Sequence, residues 1–265
     1  MGKSVLTQKL SLMSVMKLSS KDIILQNRDD SYHFRYLEWD SNFFKRPCYM
    51  FDVDNSNITK SDQIADQINS RLNGVFVTVK IDSSYDNNFV QTLQECGFRY
   101  IDTEVTLEFN EKPKTLKYNN AIEIIKPDCN VDLPYEELGS VYSLTRFHTD
   151  PHISCDKADL IWVEYLKNYI IDDNHRMYVA LIHSEIAGVV LVNIEKKQVM
   201  LFYVSVMSPF QSSGVGTKLV QKVVSNYIGS TIRTGTQVKN VRALNFYIRN
   251  GFSKIYRTRT VMHRW

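Results

Sequence analysis

Three apolar runs and one glycine loop, in fixed order, most constrain what this chain can fold into. Residues 177–182, 186–194 and 199–206 are apolar, and His183-Ser184-Glu185 and Glu195-Lys196-Lys197 separate them. Connections that short join antiparallel neighbours, so the runs predict a three-stranded meander. After Pro209 comes Gln211-Ser212-Ser213-Gly214-Val215-Gly216, and then Leu219, Val220, Val223, Val224 and Tyr227 repeat at helical spacing until Gly229. The order is strand, glycine-rich turn, helix. Residues 232–238 read as another strand, 241–249 as a short helix closed by Asn250-Gly251, and 255–263 as a last strand.

A pyrophosphate needs donors that approach it closely, which glycine permits by lacking a Cβ, and a helix N-terminus offers free N–H groups with a favourable dipole. Gly214 and Gly216 before a helix meet both needs. A Gly-x-Gly pair alone is equally at home in a plain turn. Other phosphate loops fit worse: the order is Gly216-Thr217-Lys218 rather than Gly-Lys-Thr, and no third glycine completes a dinucleotide fingerprint. Gly2-Lys3-Ser4 follows no strand or glycine loop.

At 265 residues, the chain suits two modest domains or one domain with a large addition. A formal charge of +3 without a dense basic run argues against a nucleic-acid partner or a polybasic membrane anchor. Cys48, Cys96, Cys129 and Cys155 are widely spaced with no C-x-x-C pair, so no metal site or disulfide framework is implied. The N-terminus carries Lys3, Lys9 and Lys17 among polar residues and offers no apolar core of a signal peptide or membrane span. Met1-Gly2 lacks the Ser or Thr at position 6 that myristoylation prefers. The expectation is a cytoplasmic protein without membrane insertion.

The first half has its own version of the C-terminal ending. Residues 75–81 read as a strand, 88–95 as a helix closed by Cys96-Gly97-Phe98, and 100–109 as a strand with one buried face. Gly97-Phe98 aligns with Gly251-Phe252, which is either an internal repeat or the recurrence of a common helix-Gly-strand unit. Glu111-Lys112-Pro113-Lys114 and the polar stretch 117–120 mark a linker. The expected domains are a polar, flexible segment at 1–30, an N-terminal α/β domain at 31–112, a linker at 113–121 and a second domain at 122–265.

The meander, the loop at 211–216, a helix and a strand are followed by Asn240-x-x-Ala243-Leu244-x-x-Tyr247-x-x-x-Gly251-Phe252. This order resembles the GNAT acetyltransferase superfamily over residues 122–265. The resemblance implies an α/β (α+β) fold: a central mixed, mostly antiparallel sheet flanked by helices, here preceded by a smaller, partial GNAT-like N-terminal domain. It also implies acetyl-CoA as cosubstrate, with the backbone of Val204, Ser205, Val206 and Met207 pairing with pantetheine. The amides of Gln211, Ser212, Ser213, Gly214, Val215, Gly216 and Thr217 would hold the pyrophosphate. A phenol with pKa ~10 is protonated at neutral pH and can quench a leaving thiolate, and Tyr247 matches the family's general acid. The bland reading of Tyr247 is a buried aromatic beside Phe246. The aligned position in the first half is Leu93, which offers no acid. Asn240 suits an N-cap, and the family's asparagine there also reaches the cofactor.

A narrower resemblance spans the chain. Leu37-Glu38-Trp39-Asp40-Ser41-Asn42-Phe43-Phe44, Lys80-Ile81-Asp82, Leu93-x-x-x-Gly97-Phe98 and Ser143-Leu144-Thr145-Arg146-Phe147 before Pro151 are similar to the dTDP-fucosamine (dTDP-4-amino-4,6-dideoxygalactose) N-acetyltransferases of bacterial surface-glycan synthesis. That implies a nucleotide-sugar amine as acceptor and is compatible with a homodimer. The implied acceptor residues are Arg146, Phe147 and Asp150. Arg146 suits a phosphate through its planar fork, or it forms a local ion pair with Asp150. His148 is either the base for the attacking amine or a structural histidine. Trp162, Tyr165 and Tyr169, at helical spacing, read as core or interface rather than as sugar-stacking residues. Acetylation of a protein or another small-molecule amine, and non-catalytic CoA binding, are the rival functions.

Overall fold

The computed structural model describes residues 20–27, 30–53, 62–84, 87–110, 121–128 and 131–265. Residues 1–19 of the expected N-terminal segment, and the expected linker up to residue 120, lie outside them. No helix among the described residues is long and apolar enough to cross a membrane. The chain divides into two compact units, one within Met1–Lys80, Asn87–Phe98 and Arg264–Trp265, the other within Ile81–Asp86 and Arg99–His263.

The first unit contains β1 (Ile23–Asn27), β2 (Asp30–Tyr36), α1 (Glu38–Phe44), β3 (Cys48–Asp52), α2 (Asp62–Arg71), most of β4 (Phe76–Asp82) and α3 (Asn87–Glu95). β1, β2 and β3 pair antiparallel in sequence, and β3 pairs parallel with β4. Its interior is aromatic: Phe34 stacks on Phe51 at 4.4 Å, and Trp265 stacks on Phe76 at 4.2 Å. Such pairs add about 0.5–1.5 kcal/mol beyond the area they bury.

The second unit contains β5 (Arg99–Glu108), β6 (Ile122–Ile125), α4 (Tyr135–Gly139), α5 (Arg146–Thr149), α6 (Cys155–Lys167), β7 (His175–Ile182), β8 (Glu185–Glu195), β9 (Gln198–Val206), α7 (Val215–Asn226), β10 (Thr231–Gln237), α8 (Val241–Arg249) and β11 (Lys254–Arg264). Its strands run in the order β11-β5-β10-β9-β8-β7-β6. The β9–β10 pairing is parallel, and the other neighbours are antiparallel. This is the mixed, mostly antiparallel sheet flanked by helices that the sequence implies. The meander, the helix after the glycine loop and the final strand-helix-strand all form within a few residues of their expected bounds.

Adjacent strand residues point to opposite faces, and the core divides accordingly. Tyr178, Val190 and Leu201 pack with Leu219 and Val223 of α7 and with Tyr247 of α8. Met177, Val179 and Leu191 pack on the other face with Leu138 of α4 and Leu166 of α6. The two helix layers lie on opposite faces of one sheet.

The expected boundary near residues 113–121 does not separate the compact units. β5 precedes it in sequence, yet pairs with β10 on one side and β11 on the other. The reason is burial: Val105 and Leu107 of β5 join Val215, Leu219, Tyr247 and Phe252 in one cluster. The two helix-Gly-strand endings are also closely alike. Phe98 N–H donates to Leu93 O at 2.9 Å past Gly97 (φ +84°), and Phe252 N–H donates to Tyr247 O at 3.0 Å past Gly251 (φ +91°). Both glycines sit in the left-handed region that closes a helix. Leu93 and Tyr247 are equivalent cap positions, as the sequence alignment has them.

Candidate active site

The site begins where β9 and β10 part. Their parallel pairing runs from Thr231↔Gln198 to Thr234↔Leu201, while β9 continues to Val206 and β10 to Gln237. A register shift in β9 falls at Phe202, between the partners of Leu191 and Val192 on β8. The bulge follows the last residue paired with β10, and bulges bend strands and re-aim backbone groups. Beyond it, β9 keeps β8 as its partner and turns its other edge to the opening.

Antiparallel ladders alternate which residues face the partner. Met207 N–H donates to Ala187 O at 3.0 Å, so odd-numbered residues here face β8. Val204 and Val206 therefore turn N–H and C=O toward the opening. Val204 O accepts from Tyr142 Oη at 2.8 Å, Val204 N–H donates to the same oxygen at 3.0 Å, and Val206 O accepts from Gln211 Nε2 at 3.1 Å. Of the expected pantetheine-pairing residues, Ser205 and Met207 need correction, since both turn their backbone groups to β8. The Ser205 hydroxyl donates to Leu138 O at 3.0 Å.

The glycine loop follows directly. Residues Ser208–Phe210 form a 3-10 turn, Ser212 (φ 62°) and Gly214 (φ 94°) take left-handed conformations, and α7 starts at Val215. The first α7 bond across the cap is Lys218 N–H to Gly214 O at 3.0 Å. The amides of Val215, Gly216 and Thr217 precede it and form the open, positive end of a 12-residue helix. A Cβ on Gly214 would meet nothing within 4 Å, whereas one on Gly216 would lie 3.2 Å from the Phe246 ring. The cradle is thus open at Gly214 and tight at Gly216. Ser213 Oγ donates to Phe210 O at 2.6 Å, and Arg242 donates to Gln211 Oε1 at 2.8 Å, bringing a cation beside the loop. An opened strand edge leading into a helix N-terminus with a flanking guanidinium fits an acyl-pantetheine arm and its pyrophosphate.

Tyr247 is buried on α8, in the cluster that includes Leu201 and Val204. Burial raises its phenol pKa, and a hydrogen bond with Thr234 offsets part of the rise. Thr234 is the β10 residue at the last rung before the strands part. A neutral phenol behind the opening has the protonation state a proton donor needs. Asn240 caps α8, its side chain accepting from Ala243 N–H at 3.1 Å.

The expected acceptor residues are placed less favourably. Phe147 and Asp150 are buried, and Asp150 Oδ2 meets His263 Nδ1 at 2.6 Å. The Arg146–Asp150 ion pair does not form. The Arg146 guanidinium lies over the Phe147 ring at 4.4 Å, and its Nε is buried without a hydrogen-bond partner. His148 has both ring nitrogens engaged, Nδ1 with Thr145 Oγ1 at 2.7 Å and Nε2 with Asp159 Oδ1 at 2.9 Å. That geometry ties α5 to α6 and leaves no free nitrogen for an amine. Arg146 is the member of the set with donor capacity to spare.

Tyr142, Thr234 and Arg242 escape a sequence reading. Tyr142 lies in a short stretch without period, and its partner Val204 is 62 residues away. Trp162 belongs to the same aromatic core, 4.9 Å from the Tyr142 ring. Among the described residues no group of three or more His, Cys, Asp or Glu is arranged to hold a metal.

Residues 141–252, which include the opening, the loop and Tyr247, match the acetyltransferase (GNAT) family. By that match the chain carries a GNAT acetyltransferase domain. Over 115 residues it is 26% identical to the spore coat polysaccharide biosynthesis protein SpsD of Bacillus subtilis (strain 168), a stretch that spans 42% of this chain and 40% of that protein. A functionally unknown conserved protein from Staphylococcus epidermidis shares the fold with TM-score 0.62 and 13% identity, over 96% of this chain and 98% of that one. A GCN5-related N-acetyltransferase from Sphaerobacter thermophilus does so with TM-score 0.59 and 13% identity, over 88% and 76%.

Proposed function

We propose that the chain moves the acetyl group of acetyl-CoA to the amine of a nucleotide-linked amino-deoxysugar, of the dTDP-4-amino-4,6-dideoxyhexose type, for bacterial surface-glycan synthesis in the cytoplasm. The observation that carries the reading is the opening of β9 away from β10 between the α7 N-terminus and the Tyr247 phenol. The likeness to a polysaccharide biosynthesis protein and the spare donor of Arg146 support the acceptor class.

Acetyl-CoA supplies an activated thioester. The α7 amides and the loop at 211–216 bind its pyrophosphate, and the edges of Val204 and Val206 align its pantetheine. Val204 N–H polarises the acyl carbonyl as the neutral amine attacks, a preorganised donor of the kind that contributes most to such reactions. Tyr247 gives its Oη proton to the departing sulfur, and the proton the nitrogen sheds on becoming an amide passes through water to restore the phenol. Arg146 holds an acceptor phosphate through its planar fork. Holding both reactants together removes much of the entropic barrier.

The test pairs acetyl-CoA with a panel of dTDP-amino sugars, a lysine peptide and an aminoglycoside, and follows thiol release. The expected result is turnover with an amino-sugar nucleotide that falls in Arg146→Ala mainly through a higher KM. Faster turnover with the peptide or aminoglycoside would overturn the acceptor class. Binding of CoA without thiol release from any amine would favour a non-catalytic protein.

A further inference from the structure

The Val204 edge is filled by the protein itself. One hydroxyl, Tyr142 Oη, donates to Val204 O at 2.8 Å and accepts from Val204 N–H at 3.0 Å. A strand edge left open in the interior has to find such partners, and this one finds both in a single side chain. The ring that carries the hydroxyl packs in a cluster of three aromatic rings, with Tyr203 and Trp162 also 5.7 Å from each other. It stacks on Tyr203 at 4.7 Å with an interplanar angle of 22°, and on Trp162 at 4.9 Å with 27°. Tyr203 is anchored in turn, donating to Leu138 O at 2.7 Å. The hydroxyl oxygen is fixed on the ring axis, so freeing Val204 N–H tilts the ring within this cluster, and a larger displacement breaks the cluster.

Tyr142 also lies close to the phenol assigned to proton donation. Burial raises the Tyr142 pKa well above its ordinary value, and the neighbouring Tyr247 phenol raises it further. The sulfur end of the donor belongs at Tyr247, so the acyl end points past it toward Tyr142. We propose that Tyr142 sets the length of the acyl group the site accepts, its stacked ring closing the opening at Val204 so that acetyl fits and longer acyl chains are refused. The inference rests on the acyl-CoA reading of the opening. An acetyl oxygen takes the Val204 N–H with a small tilt of that ring, and each further carbon demands a larger displacement.

Isothermal titration calorimetry tests this without turnover, using CoA, acetyl-CoA and butyryl-CoA on the full chain and on Tyr142→Ala and Tyr142→Phe. The wild type should bind acetyl-CoA about ten- to hundredfold more tightly than butyryl-CoA, the range a misfit of a carbon or two imposes on a closed pocket. Tyr142→Ala should bring the two within about threefold while leaving the Kd for CoA unchanged. Tyr142→Phe, which keeps the ring, should retain the preference. Circular dichroism checks the fold, and Tyr142→Leu carries the same test if the alanine variant does not fold. Equal binding of both acyl-CoAs by the wild type, or an undiminished preference in the alanine and leucine variants, overturns the proposal and leaves the acyl-CoA reading standing. Failure of the wild type to bind CoA or acetyl-CoA overturns that reading and the proposal with it.

Discussion

Asp150 Oδ2 lies 2.6 Å from His263 Nδ1, and neither side chain is exposed. The pair joins the residue that ends α5 to the far end of β11, 113 residues later. Asp150 Oδ1 also accepts from His152 N–H at 2.9 Å. A four-residue helix has little stability of its own, so this buried junction holds the segment carrying Arg146 against the sheet.

Removing either member of such a pair leaves the other buried beside a gap, a loss of about 3–5 kcal/mol. Asp150→Ala and His263→Ala should each lower the urea midpoint, and the double variant should lose much less than the sum of the two. Additive losses in that cycle would show that the pair is not coupled.

Tyr247 should show its role in a pH profile. Its pKa is raised by burial, with Thr234 offsetting part. Its contribution to stability is therefore fully present below the unfolded phenol value and lost as pH rises through the higher folded one. The phenol stays a proton donor throughout an ordinary assay, so no alkaline fall in kcat below pH about 10 belongs to it. Tyr247→Phe should lower kcat by about 10²–10⁴-fold and spare acetyl-CoA binding. Unchanged turnover, with chemistry rate-limiting, removes Tyr247 from the role.

The glycines separate strain from crowding. A Cβ at Gly188 would stand 2.6 Å from Ser205 O, which is backbone, so β8 and β9 would have to part. Gly188→Ala should cost about 1–3 kcal/mol by overpacking and loosen acetyl-CoA binding at Val204. Gly214→Ala meets open space but a φ of +94°, so its cost is about 1–2 kcal/mol of backbone strain. Chemical denaturation reads both, and equal destabilisation with unchanged binding in Gly188→Ala would contradict the close approach.

Acid should weaken the second unit through Glu108. Its carboxyl bonds Lys254 at 2.7 Å and Arg233 at 2.8 Å, across both neighbours of β5. The hydrogen bond from Lys254, aided by that from Arg233 and opposed by burial, holds its pKa below the ordinary value. That stability is present above the unfolded carboxylate pKa of about 4.3 and is lost as pH falls through the lower folded one. Glu108→Gln should lower Tm at neutral pH and fall less steeply than the wild type on acidification. Parallel Tm curves would remove Glu108 from the acid response.

The part of the fold that is legible in the sequence is the part written locally. The alternation of β7, β8 and β9 and the helical spacing of α7 need no knowledge of the rest of the chain. The equivalence of Leu93 with Tyr247 is legible because a helix cap repeats its glycine at a fixed offset. The place of β5 is not, since nothing in residues 99–108 names β10 and β11 as partners. His148 is ambiguous in the sequence for a related reason. Reactive side chains crowded into one segment can satisfy each other, and Thr145 and Asp159 take both of its nitrogens. Tyr142 left no trace, because its role lies in backbone groups that any residue at 204 would supply.

The insertion of β5 between β10 and β11 also has a consequence for how the protein is made. β5 leaves the ribosome more than a hundred residues before either neighbour, with both of its hydrogen-bonding edges unpaired. Non-local pairings of this kind close large loops and fold slowly. Until β10 and β11 arrive, the apolar face of Val105 and Leu107 is an adhesive surface in a nascent chain. Residues 122–265 expressed alone would meet the converse problem, with a gap between two strands that only the first half of the polypeptide can fill.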